Sequence, residues 1–313
     1  MNIEELLLEK IKKASSIVIF SHHFPDGDCL GSSVGLKKIL RANFPEKMIF
    51  HLAEPSKKWE WVFGKGDEVS DSFIRESLGI VVDHNSHDRV CDKRVETVKE
   101  AIRFDHHLIG RFPYEYPCIV DADAVSASQV LLLFATKVGL TIPQDAVQDL
   151  YIAFMDDALQ YSEANRPSCY DEVNRLFKSL GGEEEKAQAA VHFKSAEVLA
   201  YEKKIAEHGI LENGLVYAYM KEEDYLSLDI DYAEAGAKST ALGEAFPKAQ
   251  VILLFTEGKD ELRLSARSKN DFSVADLCGA FGGGGHHQAA GAVLKKGFDY
   301  LEIVKAAKAK LPL

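Results

Sequence analysis

The sequence predicts an α/β fold in which a mostly parallel N-terminal sheet domain precedes a second, smaller α/β domain. Strand-like and helix-like segments alternate over roughly the first 180 residues, which is the βαβ order of a parallel sheet. The alternation restarts after Gly209. The chain has 313 residues, which exceeds the roughly 250–300 residues at which one hydrophobic core usually divides into separate domains.

The elements of the first domain follow from apolar runs and from the spacing of apolar residues. Strands are predicted at residues 16–20, 47–52, 80–83 and 101–104. Helices are predicted at residues 31–41, 126–138 and 144–155. In the last two helices apolar residues recur at spacings of three and four, as in helices packed on a sheet or on each other.

Gly181 and Gly182 interrupt the chain, and the segment 183–208 that follows is rich in alanine, lysine and glutamate, which favours one long helix. In the second half, strands are predicted at residues 215–220, 251–255 and 262–266, with a helix near 233–245. The sequence therefore predicts an N-terminal domain over 1–182, a helical connector over 183–208 and a C-terminal domain over 209–313.

Composition narrows the classes of function. A formal net charge of −12 argues against a long nucleic-acid duplex as partner, because such binding relies on a broad basic surface. A short phosphorylated substrate stays possible, since bound cations change the local sign of charge. The five cysteines form no close-spaced pair, so we expect reduced thiols. No apolar stretch approaches the ~20 residues of a membrane span and the amino terminus lacks a signal-peptide pattern, so we expect a cytoplasmic protein.

Histidines and aspartates recur directly after three predicted strands. They are His22, Asp26 and Asp28 after the first strand, Asp83 at the end of the third, and Asp105, His106 and His107 after the fourth. Taken singly, the first group also fits a polar turn and Asp83 also fits a helix cap. Together they predict one dinuclear metal site, since ligands gather at the carboxyl ends of parallel strands. Carboxylates and imidazoles favour Mn²⁺ or Mg²⁺ over a structural zinc, and manganese is the leading choice.

A carboxylate pair, Asp156 and Asp157, follows the apolar end of a predicted helix. Such a pair is more often solvated, so it becomes a candidate for metal binding only in combination with the other histidines and aspartates. In the second domain a run of glycines precedes His286. A flexible linker is the alternative interpretation, but the backbone N–H groups of the run, together with a helix start after it, favour an anion-binding loop. Upstream, an arginine ends a strand and matches phosphate oxygens. The predicted phosphate-binding residues are Arg267, Gly283, Gly284, Gly285 and His286.

These motifs resemble those of the DHH phosphoesterase family whose members carry the DHH-associated C-terminal domain, and the resemblance covers nearly the whole chain. In chain order, the matching segments are 22–28, 82–83, 105–107, 155–156 and 282–291. The two-domain layout is most similar to the nano-RNase and pAp phosphatase group of that family. The resemblance implies a catalytic metal-binding N-terminal domain and a substrate-binding C-terminal domain, with the substrate between them.

The resemblance also implies a role for each candidate residue. One divalent ion would be held by His22 and Asp26, the second by Asp28, His106 and Asp156, and Asp83 would bridge the two. His107 would lie beside the reacting phosphate, and Asp105 would orient the histidine pair. The loop after Asp83 and the residues after Asp156 depart from the family's pattern, so Asp157 stays an alternative ligand.

The predicted reaction is metal-assisted hydrolysis of short 5′-phosphorylated oligonucleotides, or of nucleoside bisphosphates such as pAp, to mononucleotides. Two divalent ions would serve as cofactors, with Mn²⁺ first and Mg²⁺ or Co²⁺ as alternatives. An exopolyphosphatase, a manganese pyrophosphatase and a nucleotide sensor without turnover are the competing readings. The resemblance further implies a homodimer formed through the N-terminal domain.

Overall fold

The computed structural model describes residues 2–54, 56–84, 86–107, 116–159 and 167–311. The chain divides into two compact units, Met1–Phe193 and Lys194–Leu313. The α/β class predicted from the sequence is confirmed in both. Among the described residues, no helix has the length and apolar character that crossing a membrane requires.

The first unit is a parallel sheet with helices. Its strands are β1 Ser16–Phe20, β2 Met48–Leu52, β3 Leu78–Val82, β4 Glu100–Asp105 and β5 Cys118–Val120. Its helices are α1 Ile3–Lys13, α2 Gly27–Asn43, α3 Glu60–Phe63, α4 Asp71–Glu76, α5 Ala127–Lys137, α6 Gln144–Ala158, α7 Tyr170–Ser179 and α8 Glu184–His192. Within the described residues these strands pair in the order β2-β1-β3-β4-β5, with every pairing parallel.

The central strands β1 and β3 are buried along their whole length, as expected for a parallel sheet covered on both faces. The carboxyl ends of β1, β3 and β4 therefore meet at one edge, where the predicted ligands follow. Helix α2 starts at this edge and packs closely on α6. A Cβ on Gly31 would lie 2.7 Å from the Asp149 carbonyl oxygen, and one on Gly35 would lie 2.7 Å from Leu150 Cγ. Glycine at both positions thus permits a close approach of two helices that carry candidate aspartates.

The second unit contains a mixed sheet. Its strands are β6 Ile210–Glu212, β7 Leu215–Met220, β8 Val251–Glu257, β9 Glu261–Ser268, β10 Gly284–His286 and β11 Ala289–Lys295. Its helices are α9 Ala196–His208, α10 Glu222–Leu226, α11 Tyr232–Gly236, α12 Ser239–Ala245, α13 Val274–Gly279 and α14 Leu301–Lys310. In the described part of this unit the strand order is β10-β11-β9-β8-β7-β6, and only β7 and β8 pair in parallel.

The segment 183–208 differs from the one long helix that its composition predicts. It forms α8 and α9, which are separated at Phe193 by extended backbone. Ser195 begins the second helix, because its hydroxyl accepts a hydrogen bond of 3.3 Å from the Val198 N–H. Serine at this position provides an N-cap, which favours a new helix start over continuation. The division between the two compact units falls at this break.

Candidate metal centre

The turn between β1 and α2 carries the first candidate ligands. The Asp26 side chain caps α2, because its Oδ1 accepts a hydrogen bond of 3.0 Å from the Cys29 N–H. The same Oδ1 lies 3.7 Å from Nε2 of His22, a side chain that is 2% exposed. The helix cap therefore fixes a carboxylate beside a buried imidazole.

Asp28 lies in the first turn of α2 and is fully buried. Its Oδ2 accepts a hydrogen bond of 2.7 Å from the Ala127 N–H, and its Oδ1 accepts one of 3.1 Å from the Ser128 N–H. Both amides belong to the first turn of α5, where the helix dipole favours negative charge. Burial nevertheless raises the pKa of Asp28 well above its usual range, and the Asp83 and Asp157 carboxylates raise it further. The helix start alone does not balance this buried charge.

Asp83 follows β3 in an unusual backbone conformation. Its φ is +60°, which lies in the left-handed region that costs a non-glycine residue roughly 1–2 kcal/mol. Its N–H donates a hydrogen bond of 3.0 Å to the Phe104 carbonyl oxygen. The side chain is 2% exposed, yet Oδ1 accepts no hydrogen bond from the described residues. Backbone strain and an unsatisfied buried oxygen are together typical of a ligand-binding position.

Asp105 ends β4 and accepts hydrogen bonds from both histidines that follow it. Its Oδ1 accepts hydrogen bonds from the N–H of His106 at 2.8 Å, from the N–H of His107 at 3.1 Å and from His107 Nδ1 at 2.8 Å. Arg103 Nη1 donates to Oδ2 at 2.9 Å. Asp105 is thus hydrogen-bonded within the protein and holds the His107 ring and the backbone of both histidines. The His106 ring instead lies with Nδ1 3.4 Å from the Ala124 carbonyl oxygen.

Helix α6 directs Asp157, rather than Asp156, to the other candidate ligands. Asp157 Oδ2 lies 3.2 Å from His106 Nε2, which in turn lies 3.8 Å from Asp28 Oδ2. Asp156 Oδ2 instead accepts a hydrogen bond of 2.8 Å from the Gly27 N–H. Consecutive side chains on an α-helix point about 100° apart, so only one of the pair faces the cluster. We therefore propose Asp157, the alternative that the sequence left open, in place of Asp156 as the candidate ligand.

The candidate ligand atoms form overlapping groups in which all atoms lie within 4.8 Å of one another. These groups in the described residues are His22, Cys29 and Asp83; Asp83, His106 and His107; and Asp28, His106 and Asp157. Asp83 links them, because its Oδ2 lies 3.6 Å from His22 Nε2 and its Oδ1 lies 3.5 Å from His106 Nε2. Residues from four separate parts of the chain therefore form one continuous site.

The chemistry of this site fits divalent cations. Burial raises the pKa of Asp157 to about 6, and the Asp26 and Asp83 carboxylates contribute to the shift. Buried carboxylates that raise one another's pKa values require opposite charge nearby. Carboxylate oxygens with imidazole nitrogens are donors that hard and borderline divalent ions accept. The charge of two such ions would balance Asp26, Asp28, Asp83 and Asp157.

Two side chains beside the cluster were not predicted from the sequence. Glu54 Oε1 lies 2.5 Å from His23 Nδ1. Lys58 Nζ lies 3.6 Å from Asp156 Oδ1 and 4.2 Å from the centre of the Trp59 ring. Glu54 comes just after β2, so the rule that identified the other candidates, a polar residue past a strand end, also identifies Glu54. Lys58 carries no comparable signal in the sequence.

In the second unit, Arg267 and His286 lie in one row across the sheet. Arg267 of β9 is paired with Ala289 of β11, and Ala289 is paired with His286 of β10. Directly opposite residues of antiparallel strands share a face, so the arginine and the histidine lie on the same side. Two strand spacings of about 4.8 Å separate their backbones. His286 is exposed, whereas burial lowers the pKa of Arg267, and the nearby Arg263 adds to that effect.

The glycine run differs from the prediction that a helix follows it. Gly284 and the residues after it form the hairpin β10–β11, so no helix dipole acts there. A Cβ on Gly283 would lie 2.2 Å from the Gly291 carbonyl oxygen, and one on Gly285 would lie 2.6 Å from the Ala289 carbonyl oxygen. Glycine is required because the backbones of the run and of β11 approach so closely.

Comparisons with known proteins agree with this architecture. The DHH family, N-terminal domain, matches residues 16–155, and the DHHA1 domain matches residues 212–311. The chain is 30% identical to the probable bifunctional oligoribonuclease and PAP phosphatase NrnA of Streptococcus mutans, over 93% of this chain and 94% of that protein. It is 26% identical to the bifunctional oligoribonuclease and PAP phosphatase NrnA of Mycoplasma pneumoniae, over 94% of this chain and 92% of that protein.

The fold also has a solved counterpart. An exopolyphosphatase-related protein from Bacteroides fragilis superposes with a TM-score of 0.83 at 19% identity, over 98% of this chain and 96% of that chain. A match at this identity concerns the fold alone, whereas the match to the Streptococcus mutans protein extends to the sequence of both units. The resemblance predicted from the motifs is confirmed, and the chain belongs to the DHH family.

Proposed function

We propose that this chain is a metal-dependent phosphoesterase that hydrolyses short 5′-phosphorylated oligoribonucleotides and 3′-phosphoadenosine 5′-phosphate (pAp) to mononucleotides. The observation that carries the proposal is the convergence of Asp28, Asp83, His106 and Asp157 on one buried site. The names of the relatives from Streptococcus mutans and Mycoplasma pneumoniae support the same two activities. The net charge of −12 favours short single strands over long duplexes as substrates.

The proposed cofactors are two Mn²⁺ ions. His22, Asp26 and Asp83 would hold one ion, and Asp28, Asp83, His106 and Asp157 would hold the other, so Asp83 serves both. Bound divalent ions supply a water of lowered pKa and neutralise charge on the phosphate oxygens. The rigid positions of the ligands support this role, since Asp28 is tied to α5 and Asp26 to its own helix.

His107 is proposed to hold the proton that the leaving oxygen takes up. Asp105 accepts a hydrogen bond from His107 Nδ1, which leaves Nε2 as the nitrogen that can exchange a proton with substrate. Arg103 donates to the second oxygen of Asp105. The guanidinium therefore keeps the carboxylate in place, and the carboxylate keeps the His107 imidazole oriented.

The second unit is proposed to bind a substrate phosphate. Arg267 would supply a charged fork, His286 a further donor, and Gly283, Gly284 and Gly285 backbone N–H groups. The shared face of Arg267 and His286 supports this role. The division of labour between a catalytic region 1–182 and a substrate region 209–313 belongs to the same proposal.

One assay panel tests the proposed function. Purified full-length protein is incubated with a 5′-phosphorylated diribonucleotide, pAp, pyrophosphate or polyphosphate, each with Mn²⁺ and each with EDTA. We expect mononucleotides from the dinucleotide and phosphate from pAp, only with the metal. Preference for pyrophosphate or polyphosphate would replace the proposal with those activities. Absence of turnover on every substrate, with nucleotide binding retained, would indicate a sensor instead. The Asp157→Asn variant controls for contaminating phosphatases.

A further inference from the structure

Phe24 projects into solvent from the turn that carries the candidate metal ligands. It lies between His22 and Asp26 in the chain and is 73% exposed. A single exposed phenylalanine is common on protein surfaces and needs no explanation by itself. This one, however, is held in a costly conformation.

The backbone of Phe24 has a φ of +54°. For a bulky residue this left-handed conformation is a genuine outlier, and such strain persists only where the surroundings enforce it. Glycine or asparagine would adopt it more readily. The ring makes little compensating contact, since its near neighbour His23 lies 6.4 Å away between ring centres. Packing of the aromatic ring within the protein therefore does not account for phenylalanine at this position.

Glu54 enforces the conformation of the turn. Its Oε2 accepts a hydrogen bond of 2.9 Å from the Phe24 N–H, and its Oε1 lies 2.5 Å from His23 Nδ1. One carboxylate thus contacts two consecutive residues and fixes the backbone from which the Phe24 ring projects, between His22 and Asp26 in the chain. Glu54 also lines a cavity of about 470 Å³, together with Leu52, Cys91, Asp92 and Arg94.

We propose that Phe24 is a stacking platform for the base of the nucleotide whose phosphate lies at the metal centre. The inference rests on the proposed function and deepens it, because it identifies a residue that distinguishes nucleotides from phosphate compounds without a base. A rigid aromatic ring stacks on any base with little loss of conformational freedom. The base would be held by Phe24 while the phosphate is held by the site that includes His22 and Asp26.

The test is binding of two ligands that differ only in the base. Adenosine 5′-monophosphate and ribose 5-phosphate are titrated into the full-length protein with Mn²⁺ by calorimetry. The wild type is compared with Phe24→Leu, which keeps apolar bulk without a π-system, and with Phe24→Tyr, which keeps the ring. Loss of base–aromatic stacking corresponds to about a ten-fold to hundred-fold loss of affinity. Thermal melting of each variant checks the fold.

We expect the ratio of the two affinities to fall by that factor in Phe24→Leu and to be restored in Phe24→Tyr. An unchanged ratio in Phe24→Leu would overturn the inference. This holds even if both affinities fall by the same factor, since a purely structural role affects both ligands alike. A base-dependent ratio that requires the ring would support the inference even if no phosphoester were hydrolysed. In that case the proposed function alone would fail.

Discussion

The candidate metal centre of the first unit and the Arg267–His286 row of the second show opposite ways of arranging polar side chains. In the metal centre, Asp28 and Asp83 are almost completely buried, and they come from the carboxyl ends of parallel strands and from helix starts. In the row, His286 is exposed, and the register of an antiparallel hairpin sets its position. Burying charge in the metal centre costs free energy of hydration. The Arg267–His286 row leaves its groups more accessible to a ligand and has less of this cost.

The difference teaches which region depends on a cation. Buried carboxylates lose hydration and repel one another, so they are stable as a group only when positive charge balances them. The exposed His286 remains hydrated and Arg267 is only partly buried, so we expect no such dependence on a cation in the row. We therefore expect changes in the first unit to affect turnover and metal-dependent stability, and changes in the second to affect substrate affinity.

The largest expected effect separates the two adjacent aspartates of α6. Asp157→Asn should reduce turnover by about 1,000-fold or more, or ~4 kcal/mol of transition-state stabilisation, because it removes a charged ligand from the site. The turnover of Asp156→Asn should stay within about ten-fold of the wild-type value, since the amide oxygen can still accept a hydrogen bond from the Gly27 N–H. Steady-state kinetics with Mn²⁺ measures both. Equal losses in the two variants would contradict the assignment.

Metal binding should stabilise the first unit. Mn²⁺ at a hundred times its Kd should raise the free energy of unfolding by ~2.7 kcal/mol, which corresponds to a rise in Tm of about 5–10 °C for a region of this size. Differential scanning calorimetry with Mn²⁺ or EDTA measures the shift. Asp28→Asn should abolish most of it, whereas Arg267→Ala should retain it. A shift that survives Asp28→Asn would place the ion elsewhere.

Substrate affinity should depend on the second unit. Arg267→Ala should raise KM about ten-fold to hundred-fold with kcat nearly unchanged, because a charge-assisted hydrogen bond to phosphate is worth ~1.5–3 kcal/mol. Arg263 is the matched control, since it lies on the same face of β9 but donates to the Ala233 carbonyl oxygen. Arg263→Ala should leave KM within about two-fold. A fall in kcat in Arg267→Ala, with KM constant, would assign this arginine to the chemical step.

The smallest expected effect concerns the glycine run. Gly283→Ala should destabilise the hairpin by about 2 kcal/mol, because its Cβ would meet the Gly291 carbonyl oxygen. Gly284→Ala should change stability by less than about 0.5 kcal/mol, since nothing lies within 4 Å of its Cβ position. Chemical denaturation compares the two variants. Similar stabilities would mean that the hairpin relaxes readily, and that the glycines serve ligand binding alone.

Much of the fold could be predicted from the sequence. Residues 16–20 were predicted as a strand and form β1, and the helix predicted at 144–155 forms most of α6. The local pattern of apolar residues suffices to predict such elements, because the spacing of these residues shows which face of a helix or strand is buried. The break in the segment 183–208 was missed, since alanine-rich composition masked a serine cap at Ser195.

The sequence by itself determined which residue types stand past each strand of the first unit, and therefore that His22, Asp28, Asp83 and His106 would meet at one edge. Only the tertiary structure distinguishes Asp157, which lies beside His106 Nε2, from Asp156, which accepts a hydrogen bond from the Gly27 N–H. Either residue continues the same helix, and the choice depends on how α6 is rotated against α2, which Gly31 and Gly35 set by close packing. A rotation of about 100° exchanges neighbouring side chains, and no local pattern encodes that angle.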